Sequence, residues 1–147
     1  MEANDPRDIV TTRVIAATPE QIFRAYEQPE RLARWWGPNG FTSTFEHFQF
    51  RVGGEWKFMF HGPDGTNYPN HCAWREIERP ARIVLEHLGG HHFVLTMTLV
   101  PAAGGTRIAW QQRFDTPAER DRLAPVCVPS NEQNLDRLEA ELDRIAD

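Results

Sequence analysis

Glycine and proline turns divide residues 42–114 into short segments rich in β-branched and aromatic residues. Short segments of this kind, separated by such turns, are typical of consecutive antiparallel strands. Residues 9–16 are rich in Val, Ile and Thr and predict one more strand before them. The turns fall at Gly53-Gly54, Pro63-Asp64-Gly65, Arg79-Pro80, Gly89-Gly90 and Gly104-Gly105.

One face of this sheet is predicted to be apolar and aromatic. Successive side chains of a strand point to opposite faces, so every second residue shares a side. A sheet with one apolar face needs another element to cover it. The residues predicted on the apolar face are Trp56, Phe58, Phe60, Ile83, Leu85, His87, Phe93, Leu95, Met97, Leu99, Ile108, Trp110 and Phe114.

Two short amphipathic helices are predicted between the first strand and the others. Thr18 can cap a helix that begins at Pro19, where the missing N–H of proline costs nothing. Pro29 restarts the helical turn, and Gly37-Pro38 prevents its continuation. The second helix therefore ends in two adjacent tryptophans, Trp35 and Trp36.

The end of the chain predicts the cover for the sheet. Thr116 opens a capping box and a short helical segment, which Pro125 and Pro129 are expected to interrupt. Ser130 is then expected to cap a final helix of roughly 16 residues, about 24 Å long. Its apolar stripe is Leu135, Leu138, Leu142 and Ile145. The predicted fold is α+β, with a curved antiparallel sheet of about seven strands wrapped on this helix.

Size and charge exclude several classes of protein. We expect the 147 residues to form a single domain spanning residues 1–147. The net charge of -5 and the lack of a basic cluster argue against nucleic acid as a partner. No stretch is long and apolar enough to span a membrane, and we expect a cytoplasmic protein. Cys72 and Cys127 lack the spacing of a disulfide framework or a thiolate zinc site.

Several motifs resemble those of the bacterial proteins related to the activator of heat-shock-protein-90 ATPase, within the START-like (SRPBCC) superfamily of helix-grip folds. The resemblance extends from about Arg13 to Ile145. The segments that carry it are Arg13 to Ala17, Pro19-Glu20, Pro29-Glu30-Arg31-Leu32, Trp35-Trp36-Gly37-Pro38, Gly53-Gly54-Glu55-Trp56, His61-Gly62-Pro63-Asp64-Gly65, Gly105-Thr106-Arg107 and the run from Asn131 to Leu138.

The resemblance implies a helix-grip fold that holds a small molecule between sheet and helix. The same fold hosts lipid carriers, hormone receptors, cyclases and chaperone regulators, and it does not select among them. Eukaryotic activators similar to this domain also carry a separate N-terminal domain that engages the chaperone, whereas this chain begins its first strand at once. A chaperone is therefore a less favoured partner than a small molecule.

The leading hypothesis is that a small hydrophobic or aromatic molecule binds between the sheet and the C-terminal helix. Aromatic walls with a few polar anchors are typical of such sites. Gln112 is notable, because a polar group on the inner face must find a hydrogen bond. The candidate ligand-binding residues are Trp35, Trp56, Phe58, Phe60, Trp74, His87, Phe93, Trp110, Gln112, Asn134 and Leu138.

For several residues, packing in the core or capping a helix is an alternative to binding a ligand. Trp35 is placed at the cavity mouth, although it could equally pack, and Trp36 is expected to pack in the core. Asn131 is expected to cap the final helix. His87 is either a core histidine or a proton-transfer group in the cavity.

Two alternatives to ligand binding remain open. One is a cyclase- or hydrolase-type enzyme that uses His87, and the other is an interaction module with an exposed aromatic patch around Trp35. No catalytic constellation is visible, and we expect no cofactor. The six histidines lack the spacing of a metal site, and His91 and His92 are expected on opposite faces of a strand. They are His47, His61, His71, His87, His91 and His92.

Overall fold

The computed structural model of the protein describes residues 5–144. The strands are β1 (Asp8–Ile15), β2 (Thr42–Phe48), β3 (Glu55–His61), β4 (Asn67–Glu78), β5 (Arg82–His87), β6 (Phe93–Ala102) and β7 (Gly105–Phe114). The helices are α1 (Pro19–Glu27), α2 (Pro29–Trp35) and α3 (Pro117–Arg144). This order of elements confirms the predicted α+β fold with two short helices after the first strand.

All seven strands belong to one antiparallel sheet in the order β1-β7-β6-β5-β4-β3-β2. The register places Trp56 opposite Cys72 and Leu95 opposite Gln112. Residues paired in this way share a face of the sheet. The predicted inner-face residues therefore do share one face, which α1, α2 and α3 cover.

Local hydrogen bonds explain where α1 and α2 begin and end. The Thr18 hydroxyl accepts from the backbone N–H of Gln21 at 3.1 Å, and the Gln21 side chain accepts from Thr18 N–H at 2.8 Å. This is the predicted capping box. Pro29 is the first residue of α2, and Gly37 has φ +104°, which stops the helix after Trp35.

Helix α3 differs from the prediction because Pro125 and Pro129 do not interrupt it. The helix runs without a break for 28 residues, from Pro117 to Arg144. Proline removes one backbone donor, but its φ suits a helix, and water can take the unpaired carbonyls because this half of the helix is mostly exposed. Ser130 and Asn131 consequently lie in mid-helix, and the expectation that they begin or cap a helix is wrong.

The core lies between the concave face of the sheet and the three helices. Leu135 and Leu138 of α3 are fully buried in it, as the apolar stripe predicted, whereas Ile145 lies outside the described residues. Arg13 of β1 connects the sheet to α3 through ion pairs with Glu132, Asp136 and Glu139. Among residues 5–144, no helix is long and apolar enough to cross a membrane.

Candidate functional site

A cavity of about 120 Å³ lies between the concave face of the sheet and α3. β6 and β7 form its base, the loop after α2 forms one side, and α3 covers it. Pro38, Ser130 and Asn131 are partly exposed and form its rim. The lining residues are Trp36, Gly37, Pro38, Phe60, Phe93, Leu95, Trp110, Gln112, Ser130, Asn131 and Asn134.

Three amide side chains form the polar part of this cavity. Gln112 is 6% exposed, and its Oε1 accepts a hydrogen bond from Asn131 Nδ2 at 3.1 Å. Asn134 Nδ2 donates to the backbone oxygen of Trp35 at 2.7 Å. None of the described residues that line the cavity is charged. The site thus offers amide and hydroxyl groups to an occupant, but no counter-ion.

Five of the predicted ligand-binding residues line this cavity, and the other six lie elsewhere in the fold. Those that line it are Phe60, Phe93, Trp110, Gln112 and Asn134. Trp35, Trp56, Phe58, Trp74 and Leu138 belong to the buried core cluster, and His87 lies on β5 behind Phe93. Their role in binding a ligand stays a prediction.

Trp35 lies in the core and does not edge the cavity mouth. Its side chain is 0% exposed, its Nε1 donates to Ala25 O at 3.0 Å, and its ring meets Tyr26 edge-on at 4.9 Å. The helical spacing of α2 turns Trp35 towards α1, whereas Trp36 has already left the helix. Trp36 therefore lines the cavity, and within residues 5–144 Trp35 is not part of an exposed aromatic patch.

Arg137 of α3 fixes the loop that carries Trp36. Its Nη1 donates to the carbonyl oxygens of Gly37 and Pro38, both at 2.9 Å, and its Nη2 donates to Arg34 O at 2.8 Å. Arg34 lies in the last turn of α2 and Gly37 and Pro38 follow it, where backbone acceptors lack helical partners. One guanidinium thus holds the backbone on one side of the cavity.

His87 lies outside the cavity lining, with polar neighbours at both ring nitrogens. Its Nδ1 lies 2.6 Å from His91 O and its Nε2 lies 2.8 Å from Asn70 Oδ1. The ring stacks on Phe93, with centroids 4.7 Å apart. Burial lowers the pKa of His87. Because both nitrogens face other groups and Phe93 separates the ring from the cavity, the geometry gives no support to His87 as a proton-transfer group.

The remaining histidines are spread over the surface of the sheet. His91 and His92 lie in the loop between β5 and β6, so the expectation that they occupy a strand is wrong. His61 lies 2.8 Å from both Thr44 Oγ1 and Asn67 Oδ1. Within residues 5–144, no three His, Cys, Asp or Glu side chains converge in a way that could hold a metal ion.

His92 is expected to stabilise the protein more at acid than at alkaline pH. Its ring nitrogens lie 2.6 Å from Glu86 Oε2 and 2.6 Å from Asp115 Oδ1, and these hydrogen bonds raise its pKa. A histidine whose pKa is raised on folding stabilises the folded state at pH values below its ordinary pKa. This stabilisation is lost as the pH rises through the raised pKa.

Urea unfolding of His92→Gln at about pH 5 and about pH 9 measures this effect. Since the side chain is 38% exposed, we expect a loss of at most about 1 kcal/mol at the lower pH and a smaller loss at the higher pH. The exposed His47→Gln serves as the control. A loss that grows with pH would contradict this assignment.

Six lining residues are absent from the sequence prediction: Trp36, Gly37, Pro38, Leu95, Ser130 and Asn131. Leu95 was already placed on the inner face, and only the position of α3 shows that it borders a cavity. Asn131 could have been found only by treating α3 as one continuous helix, because the side chain then falls one turn before Leu135. Pro125 and Pro129 predict a break before Asn131, so the sequence pattern does not indicate this position.

A curved antiparallel sheet, a long covering helix and a small cavity between them define a helix-grip protein. The model of the family described as activator of Hsp90 ATPase homolog 1-like protein matches residues 16–143. The chain belongs to this family, as the sequence motifs had suggested. No curated protein shows a significant match.

Solved structures show the same fold over nearly the whole chain. A Rhodobacter sphaeroides protein is 26% identical with a TM-score of 0.87, covering 98% of this chain and 97% of its own. A Chromobacterium violaceum protein is 28% identical with a TM-score of 0.81, and the match covers 90% of this chain and 95% of that protein. The AHSA1 protein of Silicibacter pomeroyi is 20% identical with a TM-score of 0.77, covering 93% and 98%, and this likeness concerns the fold alone.

Proposed function

We propose that the protein binds a small, uncharged aromatic or hydrophobic molecule between α3 and the concave face of the sheet. The observation that carries this proposal is the cavity itself. Its aromatic and aliphatic walls surround a few polar groups without any charge among the described lining residues. Apolar walls with a few placed polar groups are the usual composition of small-molecule sites.

The volume limits the size of the ligand. A cavity of about 150 Å³ is enough for benzene in another protein, and the cavity here measures about 120 Å³. A single ring therefore already fills the cavity, and a substituent has to lie in the partly exposed rim at Pro38, Ser130 and Asn131 unless the walls move. Phe93 and Trp110 supply flat surfaces against which such a ring can pack.

The polar groups of the cavity limit the charge of the ligand. An ionised group transferred from water into an apolar site is strongly unfavourable without a partner of opposite charge. Gln112 and Asn131 already share one hydrogen bond, and each amide has further donors or acceptors to offer. A neutral hydroxyl or carbonyl group on the ring meets this requirement, whereas a carboxylate or an ammonium does not.

Filling the rim of the cavity is expected to abolish binding. Ser130 lines the cavity from α3, so Ser130→Phe places a ring across its opening. Val128 lies on the same helix, is 45% exposed and does not line the cavity, which makes Val128→Phe the matched control. Isothermal titration calorimetry with 4-methylphenol should show saturable binding to the wild type and to Val128→Phe, and no binding to Ser130→Phe.

Two results would overturn the proposed function. The first is no saturable binding of neutral single-ring compounds to the wild type. The second is undiminished binding to Ser130→Phe, which would place the ligand elsewhere. Thermal unfolding of the three proteins without ligand shows whether either substitution has damaged the fold.

A further inference from the structure

Two of the buried tryptophans have indole N–H groups without an acceptor. Trp35 and Trp110 donate to Ala25 O at 3.0 Å and to Tyr26 Oη at 3.1 Å. Trp56 and Trp74 are equally buried, each 0% exposed, yet their Nε1 atoms have no hydrogen-bond partner among the described residues. Within residues 5–144, one pair of indoles thus has acceptors and the other pair has none.

Unpaired buried donors are rare in native proteins, because each loses its bonds to water without replacement. The two donors here are neighbours. Trp56 on β3 and Trp74 on β4 stack with their ring centroids 5.5 Å apart and their planes at 6°. On the next strand the Ser43 hydroxyl is also buried without a partner. All three groups lie on the β2–β4 half of the concave face, the two indoles side by side and Ser43 further along, opposite Phe60.

On the β6–β7 half of the same face, the amide groups of the cavity have hydrogen-bond partners. Gln112 and Asn131 bond to each other, and Asn134 bonds to the backbone of Trp35. The unpaired donors are therefore confined to the aromatic part of the interior. The rings that meet Trp74 edge-on offer at most a weak N–H···π contact, so a full acceptor has to come from water or from a bound molecule.

Trp36 separates these donors from the cavity. Its ring lines the cavity and lies between Trp56 and Trp110, with centroid distances of 5.3 Å and 5.6 Å. Arg137 holds the backbone of this loop, so a change of the Trp36 rotamer would leave the loop in place. Such a rotation would extend the cavity towards Trp56, whose ring stacks on Trp74.

We infer that the ligand carries a carbonyl oxygen on a flat apolar skeleton, and that this oxygen accepts hydrogen bonds from the Trp56 and Trp74 indoles once the Trp36 ring has swung aside. The inference rests on the proposed function and adds the chemical class of the ligand. A carbonyl oxygen has two lone pairs and can accept from both donors. Its flat skeleton takes the place of the Trp36 ring beside Trp110.

Paired ligands with and without a carbonyl group test this inference. Uniformly ¹⁵N-labelled protein is titrated with 1-indanone and, separately, with indane, and the indole N–H resonances are followed by NMR. Trp56→Phe and Trp74→Phe assign the two resonances. We expect both resonances to shift with 1-indanone and neither with indane, and we expect the ketone to bind about 10-fold more tightly.

Two variants extend the test. Trp36→Ala is expected to strengthen the binding of 1-indanone by about 5-fold or more, because no ring has to be displaced. Trp56→Phe keeps an aromatic ring and removes one donor, so 1-indanone should lose most of its advantage over indane.

The outcomes separate this inference from the function on which it depends. Equal binding of both compounds without indole shifts would overturn the carbonyl inference and leave ligand binding intact. Failure of both compounds, and of 4-methylphenol, would overturn the two together. Long-lived water contacts to the Trp56 and Trp74 N–H protons that persist in saturating 1-indanone would show that water is the missing acceptor, and would also overturn the inference.

Discussion

Replacing Glu141 with glutamine is expected to lower the free energy of unfolding by about 3–5 kcal/mol, the usual cost of breaking a buried ion pair. The Glu141 side chain is 3% exposed and the Arg31 side chain 6%. Glu141 Oε2 lies 3.2 Å from Arg31 Nε, and Oε1 lies 2.9 Å from Arg34 Nε. Without the carboxylate, Arg31 would keep a buried positive charge with no counter-ion among residues 5–144.

The matched control is Glu132→Gln, on the same helix. Glu132 pairs with Arg13 but is 52% exposed, and Asp136 and Glu139 would still pair with that arginine. We expect a loss below about 1 kcal/mol. Urea unfolding of both variants measures the difference, and equal losses would contradict the structural role of Glu141.

The pH dependence of the Glu141→Gln effect gives an independent check. Burial raises the pKa of Glu141, but hydrogen bonds from Arg34, Arg144 and Arg31 outweigh it and lower the pKa to about 2. A carboxylate whose pKa is lowered on folding stabilises the folded state at pH values above its ordinary pKa. This stabilisation is lost as the pH falls towards 2. The gap between wild type and variant should accordingly be constant near neutral pH and shrink in acid.

Replacing Trp35 with alanine is expected to cost about 3–5 kcal/mol of stability, as for other large core side chains. The change removes a fully buried ring, its edge contact with Tyr26 and its hydrogen bond to Ala25 O. It also breaks the junction between α1 and α2, where these groups meet.

Trp36→Ala is the natural comparison, because the same residue type is removed one position further on. Trp36 is partly exposed and borders the cavity, so we expect a clearly smaller loss. Thermal and urea unfolding of the two variants measure the contrast. A larger loss for Trp36→Ala would contradict the placement of both tryptophans.

The sheet was readily predicted because its signals are local. Gly53-Gly54 directly precede β3 and Gly104-Gly105 mark the start of β7. Glycine is required there, because a Cβ on Gly105 would lie 2.0 Å from Ile15 O and one on Gly54 would lie 2.2 Å from Gln49 O. Strict alternation then placed Trp56, Trp110 and Gln112 on the inner face.

The errors arose where tertiary contacts override local rules. Pro125 and Pro129 predict a break in α3, but proline only weakens a helix whose neighbouring carbonyls can be hydrated. Two adjacent tryptophans at a helix end cannot be told apart by spacing, because the exact end of α2 decides which of them faces the core. Glu141 was missed because charged residues surround it in sequence, and only the fold brings it to Arg31.

The central claim is that α3 and the sheet enclose a site for a neutral ring, and crystals soaked with 4-methylphenol test it most directly. The account expects electron density for one ring between Phe93, Trp110 and α3, with the hydroxyl within hydrogen-bond distance of Gln112 or Asn131. A cavity that stays empty at a ligand concentration that saturates the protein in solution would contradict it.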